Sequence, residues 1–258
     1  MRSLLRRIFR QPDAPQAPVA RRRRVEIADG RPIYAIGDVH GCFEALLALE
    51  DRIAADARRL ALTRPLVVYL GDYIDRGPDS RAVLNHLARS DHADRIERVA
   101  LCGNHDDTFL RFLRSPGDNM GWLDFGGDAT LRSYGIDPAA VLKRRAGDLG
   151  RILREAVPGH HVALLESLPV ALACGDLLFV HAGIRPGVAL EDQDDEDLLW
   201  IREPFLSEGP RLPLTVVHGH TAGSEPVFGR GRVCIDTGCY ATGRLTAIRI
   251  TPDGSALL

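Results

Sequence analysis

The chain is almost without lysine: Lys143 is the single lysine among 33 basic residues. So skewed a composition weakens any functional reading of an arginine by its presence alone. No apolar run approaches the ~20 residues that a membrane-spanning helix requires. No Cys-x-x-Cys pair occurs. The five cysteines (Cys42, Cys102, Cys174, Cys234 and Cys239) are odd in number and sit mostly in apolar runs. This argues against a disulfide framework and predicts reduced, buried thiols in a cytoplasmic protein. No internal repeat is visible. The first residues, MRSLLRRIFRQ, interrupt their apolar positions with arginines and so lack the unbroken apolar region of a secretory signal.

What is present is ordinary globular composition, 45% hydrophobic and 26% charged over 258 residues, enough for one sizeable domain or two small ones. Charge is spread unevenly. Residues 1–24 hold eight arginines against one acid, Asp13, so this segment carries +7 within a net charge of −2, leaving −9 for the remainder. An acidic folded part argues against a nucleic-acid groove. Pro12, Pro15 and Pro18 favour a disordered tail over residues 1–24, with a basic amphipathic surface helix as the alternative. An anionic partner would suit either.

From Val25 onward, short aliphatic runs alternate with helical patterns. The runs are Ile33–Ile36, Leu66–Leu70, Val99–Cys102, Leu177–Val180, Val216–Val217, Val233–Ile235 and Leu245–Ile250. Apolar spacing predicts a helix over Phe43–Leu60 and a shorter one over Asp79–Ala88 with Asp79 as N-cap. The alternation implies a layered α/β fold for residues 25–258. Residues 107–166 read as a helical insert or cap, broken at Gly126-Gly127 with turns at Gly135 and Pro138.

Polar clusters follow the carboxyl ends of five runs, where ligands bind in open α/β sheets. They are Gly37-Asp38-Val39-His40-Gly41, Gly71-Asp72-Tyr73-Ile74-Asp75-Arg76-Gly77, Gly103-Asn104-His105-Asp106, Val180-His181-Ala182-Gly183 and His218-Gly219-His220-Thr221. Asp, Asn and His without Cys suit Mn²⁺, Fe or Zn²⁺ better than a structural tetrahedral zinc. Taken singly, an Asp-x-His pair after a strand could be an Asx turn and a surface histidine; five such segments in series point to a site.

These segments resemble the GDxHG, GDxxDRG, GNH[ED], HxG and GH motifs of the calcineurin-like metallophosphoesterases, and more narrowly the bacterial and phage phosphoprotein phosphatases. The resemblance extends from about Ile33 to Ile250 and includes Trp200-Ile201-Arg202-Glu203 and Ile235-Asp236-Thr237-Gly238. It implies a layered β-sandwich flanked by helices and two divalent metal ions, Mn²⁺ first. Asp38 and His40 would hold one metal, Asp72 would bridge both, and Asn104, His181 and His220 would complete the second. A metal-bridged hydroxide would attack phosphorus in line. His105 would protonate the leaving oxygen, with Asp75 orienting it. Arg76 and Arg202, with Asn104, would bind the phosphate oxygens.

Some positions stay open. Arg202 has a surface salt bridge with Glu203 as its rival role. His218 competes with His220, although the family pattern matches His220. Asp106 stands where many relatives carry glutamate, and its shorter arm puts a supporting role in doubt. Asp236 fits either a turn or a contact behind the site. His86, His92, His160 and His161 fall outside every motif and are expected to be structural or solvent-exposed.

The resemblance implies a phosphomonoester hydrolase, first a serine/threonine protein phosphatase that could also take phosphotyrosine. The rival is a dinucleoside polyphosphate (diadenosine tetraphosphate) hydrolase. The acid at Asp75 favours the former, whereas Asn104-His105-Asp106 leans slightly to the latter. A catalytically inactive metal-binding scaffold would have lost a ligand or the general acid, and none is missing. Expected partners are a phosphorylated protein or small phosphoester, with no nucleic acid on the folded domain and no transmembrane segment.

Overall fold

The computed structural model describes residues 24–27, 32–62, 65–89, 97–141, 143–144 and 146–258. The strands are β1 (Arg24–Glu26), β2 (Ile33–Ile36), β3 (Leu66–Tyr69), β4 (Glu97–Ala100), β5 (Ala171–Cys174), β6 (Leu177–Val180), β7 (Thr215–His218), β8 (Val227–Gly229), β9 (Arg232–Cys234), β10 (Ala247–Thr251) and β11 (Gly254–Leu257). They form a five-stranded sheet, β11-β10-β2-β3-β4, and a six-stranded sheet, β1-β5-β6-β7-β9-β8. β2, β3 and β4 run parallel, as do β6, β7 and β9. Their carboxyl ends therefore deliver loops to shared edges.

Side-chain alternation explains the layering. Ile33 and Ala35 of β2, Leu66 and Val68 of β3, Leu172 of β5, Phe179 of β6 and Val217 of β7 join one buried cluster, which fills the space between the sheets. The intervening Tyr34, Ile36, Val67 and Tyr69 belong to a second cluster, shared with the helices outside. Strands apolar on both faces thus need cover on both, and a sandwich flanked by helices supplies it. Each large aliphatic side chain so buried contributes about 1.5–3 kcal/mol.

The helices outside the sheets begin with α1 (Phe43–Arg59) and α2 (Ser80–Leu87), close to the ranges their periodicity predicts. Asp79 holds the N-cap position of α2 without a side-chain capping bond; its φ of −114° and ψ of 34° lie outside the extended conformation that capping uses. From Asn104 to Ser167 every regular element is helical: α3 (Asn104–Arg114), a 3-10 turn (Met120–Phe125), α4 (Gly127–Ser133), α5 (Pro138–Val141), α6 (Ala146–Ala156) and α7 (Gly159–Ser167). The insert read over 107–166 therefore starts within α3. Gly126, at φ 98°, makes the expected break, and Pro138 opens a short helix, where its fixed φ is suited to the first turn. Short α8 (Asp195–Trp200), α9 (Phe205–Glu208) and α10 (Cys239–Thr242) complete the chain.

Residues 1–23 and His92 lie outside the described residues. Arg24, counted with the tail in the sequence, opens β1, and its guanidinium donates to main-chain oxygens of Leu190 and Gln193. Among the described residues no helix is long and apolar enough to cross a membrane. β1, β5, β8 and β11 were not read from the sequence. β1 and β11 pair at sheet edges and β8 is exposed, so these three carry no strong apolar signature, whereas β5 is a buried apolar strand of only four residues, Ala171–Cys174.

Candidate metal centre and active site

The five motif loops converge, and unusual backbone geometry lets them. His40, Asp72, Asp75, Arg76 and His220 all adopt positive φ, between 43° and 70°. Such conformations cost of order 1–3 kcal/mol each in non-glycine residues and persist only where the surroundings over-determine them. Two glycines permit the close approach. A Cβ on Gly103 would strike Asp72, and one on Gly219 would strike the Asp38 carboxylate.

Among the described residues, two groups of three donors lie with their ligand atoms within 4.8 Å of one another: His40, Asp72 and His105, and Asp72, His181 and His220. Asp72 belongs to both. Its Oδ2 is 3.5 Å from His40 Nε2 and 3.4 Å from His181 Nε2. Asn104 adjoins the second group, with Oδ1 2.8 Å from His181 Nε2 and 2.9 Å from His220 Nδ1. Asp38 stands in neither group. Its carboxylate accepts from the His220 main-chain N–H at 3.0 Å, beside Asp236 and Asp72.

The donor chemistry fits divalent cations. His40 Nδ1–H donates to Ile74 O at 2.7 Å, and His181 Nδ1–H donates to Leu70 O at 2.9 Å. Each bond fixes the tautomer and turns the Nε2 lone pair toward Asp72. With its oxygen oriented toward the imidazoles, Asn104 adds a further lone pair to the same point. Burial pushes His40 and His220 down to about 3, so both rings stay neutral and ligand-competent at neutral pH. Burial, then the charges of Asp236 and Asp72, raises the Asp38 pKa. Buried carboxylates crowded together in this way favour a cation among them.

Beside the first group sits a histidine–carboxylate pair. His105 Nδ1–H donates to Asp75 Oδ2 at 2.7 Å, leaving Nε2 facing the site, 3.9 Å from Asp72 Oδ2. Burial disfavours charge on both partners and raises the Asp75 pKa. It also opposes protonation of His105, but the Asp72 charge and the Asp75 hydrogen bond outweigh it and hold His105 above its ordinary value. Asp75 is further pinned by Trp122 Nε1–H at 2.8 Å and Thr130 Oγ1–H at 2.6 Å. Both donors come from the helical insert, and no motif flagged them.

Asp106 resolves a doubt left by its short arm. At the start of α3 its buried carboxylate accepts from the main-chain N–H groups of Gly103 at 2.9 Å, Asp72 at 2.8 Å and Tyr73 at 3.1 Å. It thereby ties the Asp72 loop to the Asn104 loop. Burial, then the nearby Asp72 charge, pushes its pKa up to about 7. Asp236 makes its turn, accepting from Gly238 N at 2.9 Å, and also stands against Asp38.

Arg76 and Arg202 are exposed at the mouth. Arg76 donates to His40 Nε2 at 2.8 Å and lies over the Tyr240 ring at 4.8 Å. Arg202 reaches the His220 main-chain oxygen at 3.5 Å, while Glu203 accepts from Ser207, so the proposed surface bridge is not what is seen. His218 is buried against Phe205 with Arg232 beside it and stands in neither donor group. Among the histidines outside the motifs, His86 is a buried partner of Glu50 and His161 bonds Tyr134 and Asn85.

A family model for the calcineurin-like phosphoesterases matches residues 31–241. A curated relative from Bacillus velezensis, named bis(5'-nucleosyl)-tetraphosphatase PrpE (asymmetrical), is 27% identical over 83% of this chain and 87% of its own. Serine/threonine-protein phosphatase 1 of Salmonella typhimurium is 34% identical over 41% of this chain and 44% of its own. A crystal structure described as a candidate diadenosine tetraphosphatase superposes with a TM-score of 0.61 at 21% identity, covering 92% of this chain and 97% of that one. The match over residues 31–241 shows that the chain belongs to the calcineurin-like phosphoesterase family, and it is a metallophosphoesterase hydrolase.

Proposed function

We propose that this phosphoesterase hydrolyses dinucleoside polyphosphates by cleaving a phosphoanhydride bond. The observation that carries the reading is the pairing of two donor groups around Asp72 with two exposed guanidiniums, Arg76 at His40 and Arg202 at His220. A run of several phosphates presents anionic oxygens to both forks at once, whereas a lone phosphomonoester presents fewer. The relative named as a tetraphosphatase aligns over 83% of this chain and 87% of its own; the one named as a protein phosphatase aligns over less than half of either.

In this reading Asp38 and His40 would hold one divalent cation, Asn104, His181 and His220 would hold the other, and Asp72 would serve both. Mn²⁺ is the expected ion for such a hard, nitrogen-containing donor set. When bound, the pair would neutralise phosphate charge and lower the pKa of a nucleophilic water. The protein does the rest. Arg76 and Arg202 hold the phosphate oxygens and stabilise charge as the bond breaks. Asp75 keeps the His105 proton on Nδ1 in the resting state, and protonation at Nε2 readies the ring to donate to the departing oxygen. Asp106 holds the main chain beneath Asp72.

A second reading, a serine/threonine protein phosphatase, draws on the same pair: a poised general acid matters most for a poor alkoxide leaving group, and His105–Asp75 is built for one. Rates on diadenosine tetraphosphate and on a phosphoserine peptide, measured side by side with Mn²⁺-loaded protein, decide between them. A higher kcat/KM on the dinucleotide is expected. A higher value on the peptide would hand the assignment to the second reading.

A further inference from the structure

Three aromatic side chains stand around the mouth, each against a different histidine of the site. Phe125 meets His105 edge-on at 6.2 Å, Trp200 meets His220 at 6.2 Å, and Tyr240 meets His40 at 5.3 Å. Phe125 and Trp200 also meet each other edge to face at 6.1 Å, with 69° between their planes, forming an angled wall. Phe125 is 47% exposed and Tyr240 42%, among the few exposed large apolar side chains of the described residues. Exposing a phenylalanine ring forgoes burial worth about 1.5–3 kcal/mol. The surrounding core buries Phe109, Phe112 and Phe205 completely, so this exposure is not forced by a shortage of interior.

The wall is built together with the arginines. Arg76 N–H donates to Gly126 O at 3.1 Å, the residue directly after Phe125, and Gly126 packs so closely on Arg76 that a Cβ there would strike it. Trp200 ends α8 two residues before Arg202. Ring faces and phosphate forks are therefore fixed in register with one another on rigid elements.

We infer that Phe125 and Trp200 form a stacking subsite for a nucleobase of the substrate, placed so that the attached phosphates reach Arg76 and Arg202. A nucleobase fits because it is a flat π-system joined through a ribose to phosphates, and stacking on aromatic side chains takes any base. The two exposed arginines suit the polyanionic part, while the chain from Val25 onward carries a net charge of −9, which disfavours a longer nucleic acid. The inference rests on the dinucleotide reading above, yet it can fail separately.

The test uses Mn²⁺-loaded full-length protein and the variants Phe125→Ala, Trp200→Ala and Trp200→Phe. The first readout is the ratio of kcat/KM on diadenosine tetraphosphate to kcat/KM on inorganic tetraphosphate, which lacks a base. This ratio should fall about ten-fold in each alanine variant, with Trp200→Phe retaining most of it. The second is binding: adenosine 5'-monophosphate should quench tryptophan emission of the wild type more strongly than ribose 5-phosphate, because Trp122 is buried and Trp200 partly exposed. Circular dichroism and metal content check that each variant is folded and loaded.

If the dinucleotide is cleaved but the ratio is unmoved in both alanine variants, the subsite is overturned while the function stands. If no dinucleotide is cleaved yet the monophosphate quenches and ribose phosphate does not, the subsite stands and the function falls. Equal quenching by both ligands overturns the subsite. A preference for phosphotyrosine peptide over the dinucleotide, lost in the same variants, would assign the wall to a tyrosine ring and also overturn it.

Discussion

The loops that follow β2, β3, β4, β6 and β7 and the helical stretch from Asn104 to Ser167 serve one site in different ways. The loops carry nearly every polar donor and hold them through main-chain geometry: positive φ at His40, Asp72, Asp75, Arg76 and His220, and glycine clearances at Gly103 and Gly219. The helical stretch contributes Asn104 and His105 at its start. Thereafter it works by side chains reaching back, with Trp122 and Thr130 on Asp75 and Phe125 on the mouth. Strained loops on rigid strands set the chemistry, and packed helices orient it and shape its access.

Breaking the loop side should have the larger consequences. Removing divalent cations with a chelator should abolish activity, and Mn²⁺ should restore it, since every proposed ligand is Asp, Asn or His. Full turnover by protein that elemental analysis shows to be metal-free would contradict the assignment. Next, His105→Asn should lower kcat on an alkyl phosphoester by roughly 10²–10⁴ with metal content retained. An aryl phosphate, whose leaving group needs little protonation, should suffer less; equal loss on both would make His105 a positioning residue only. Arg76→Ala and Arg202→Ala should each cost roughly 2.7–4 kcal/mol in kcat/KM, with lysine a partial substitute for lack of a fork. An Arg202→Ala enzyme equal to wild type would remove Arg202 from the site.

The helical side should yield smaller, graded effects. Trp122→Phe keeps the ring packed against Phe109 and Phe112 but deletes the Nε1–H that Asp75 accepts. Losing one hydrogen bond to a buried carboxylate should cost about 1.5–3 kcal/mol. The loss should appear in kcat on alkyl substrates more than on aryl ones, matching His105→Asn in pattern. Uniform loss across leaving groups would mean that Trp122 acts through packing alone. Smallest of all, deleting residues 1–23, which spares Arg24 in β1, should leave melting temperature and turnover of a small substrate nearly unchanged. Weakened, salt-sensitive association with anionic surfaces is the one effect expected. A truncated protein that melts early would place the tail against the domain.

The sequence made the loop side legible because its constraints are local. A strand that ends in Gly-Asp-x-His or Gly-Asn-His announces a turn and a set of donors within a few residues, and His40, Asp72, Asn104, His105, His181 and His220 all converge as their motifs imply. The layered α/β class was legible in the alternation of aliphatic runs with helical patterns, whereas the sandwich of two sheets came only through the family resemblance. What stayed hidden depends on distance in sequence. Trp122 and Thr130 meet Asp75 from 47 and 55 residues away, and nothing in their immediate neighbours marks them as polar partners of a carboxylate. Asp106 shows the limit of judging by side-chain length: its reach suffices because α3 begins directly beneath the Asp72 loop. Edge strands such as β1 and β8 lack the paired apolar faces that betray central ones.

Asp72 stands between the two proposed cation sites, and metal stoichiometry is the test of that shared position. Apo protein titrated with Mn²⁺ by calorimetry, with elemental analysis of the dialysed product, should bind two ions per chain. His220→Asn should weaken one of them, and Asp72→Asn should weaken both. One ion in the wild type, or two that bind undiminished after Asp72→Asn, would contradict a shared carboxylate at the centre of the site.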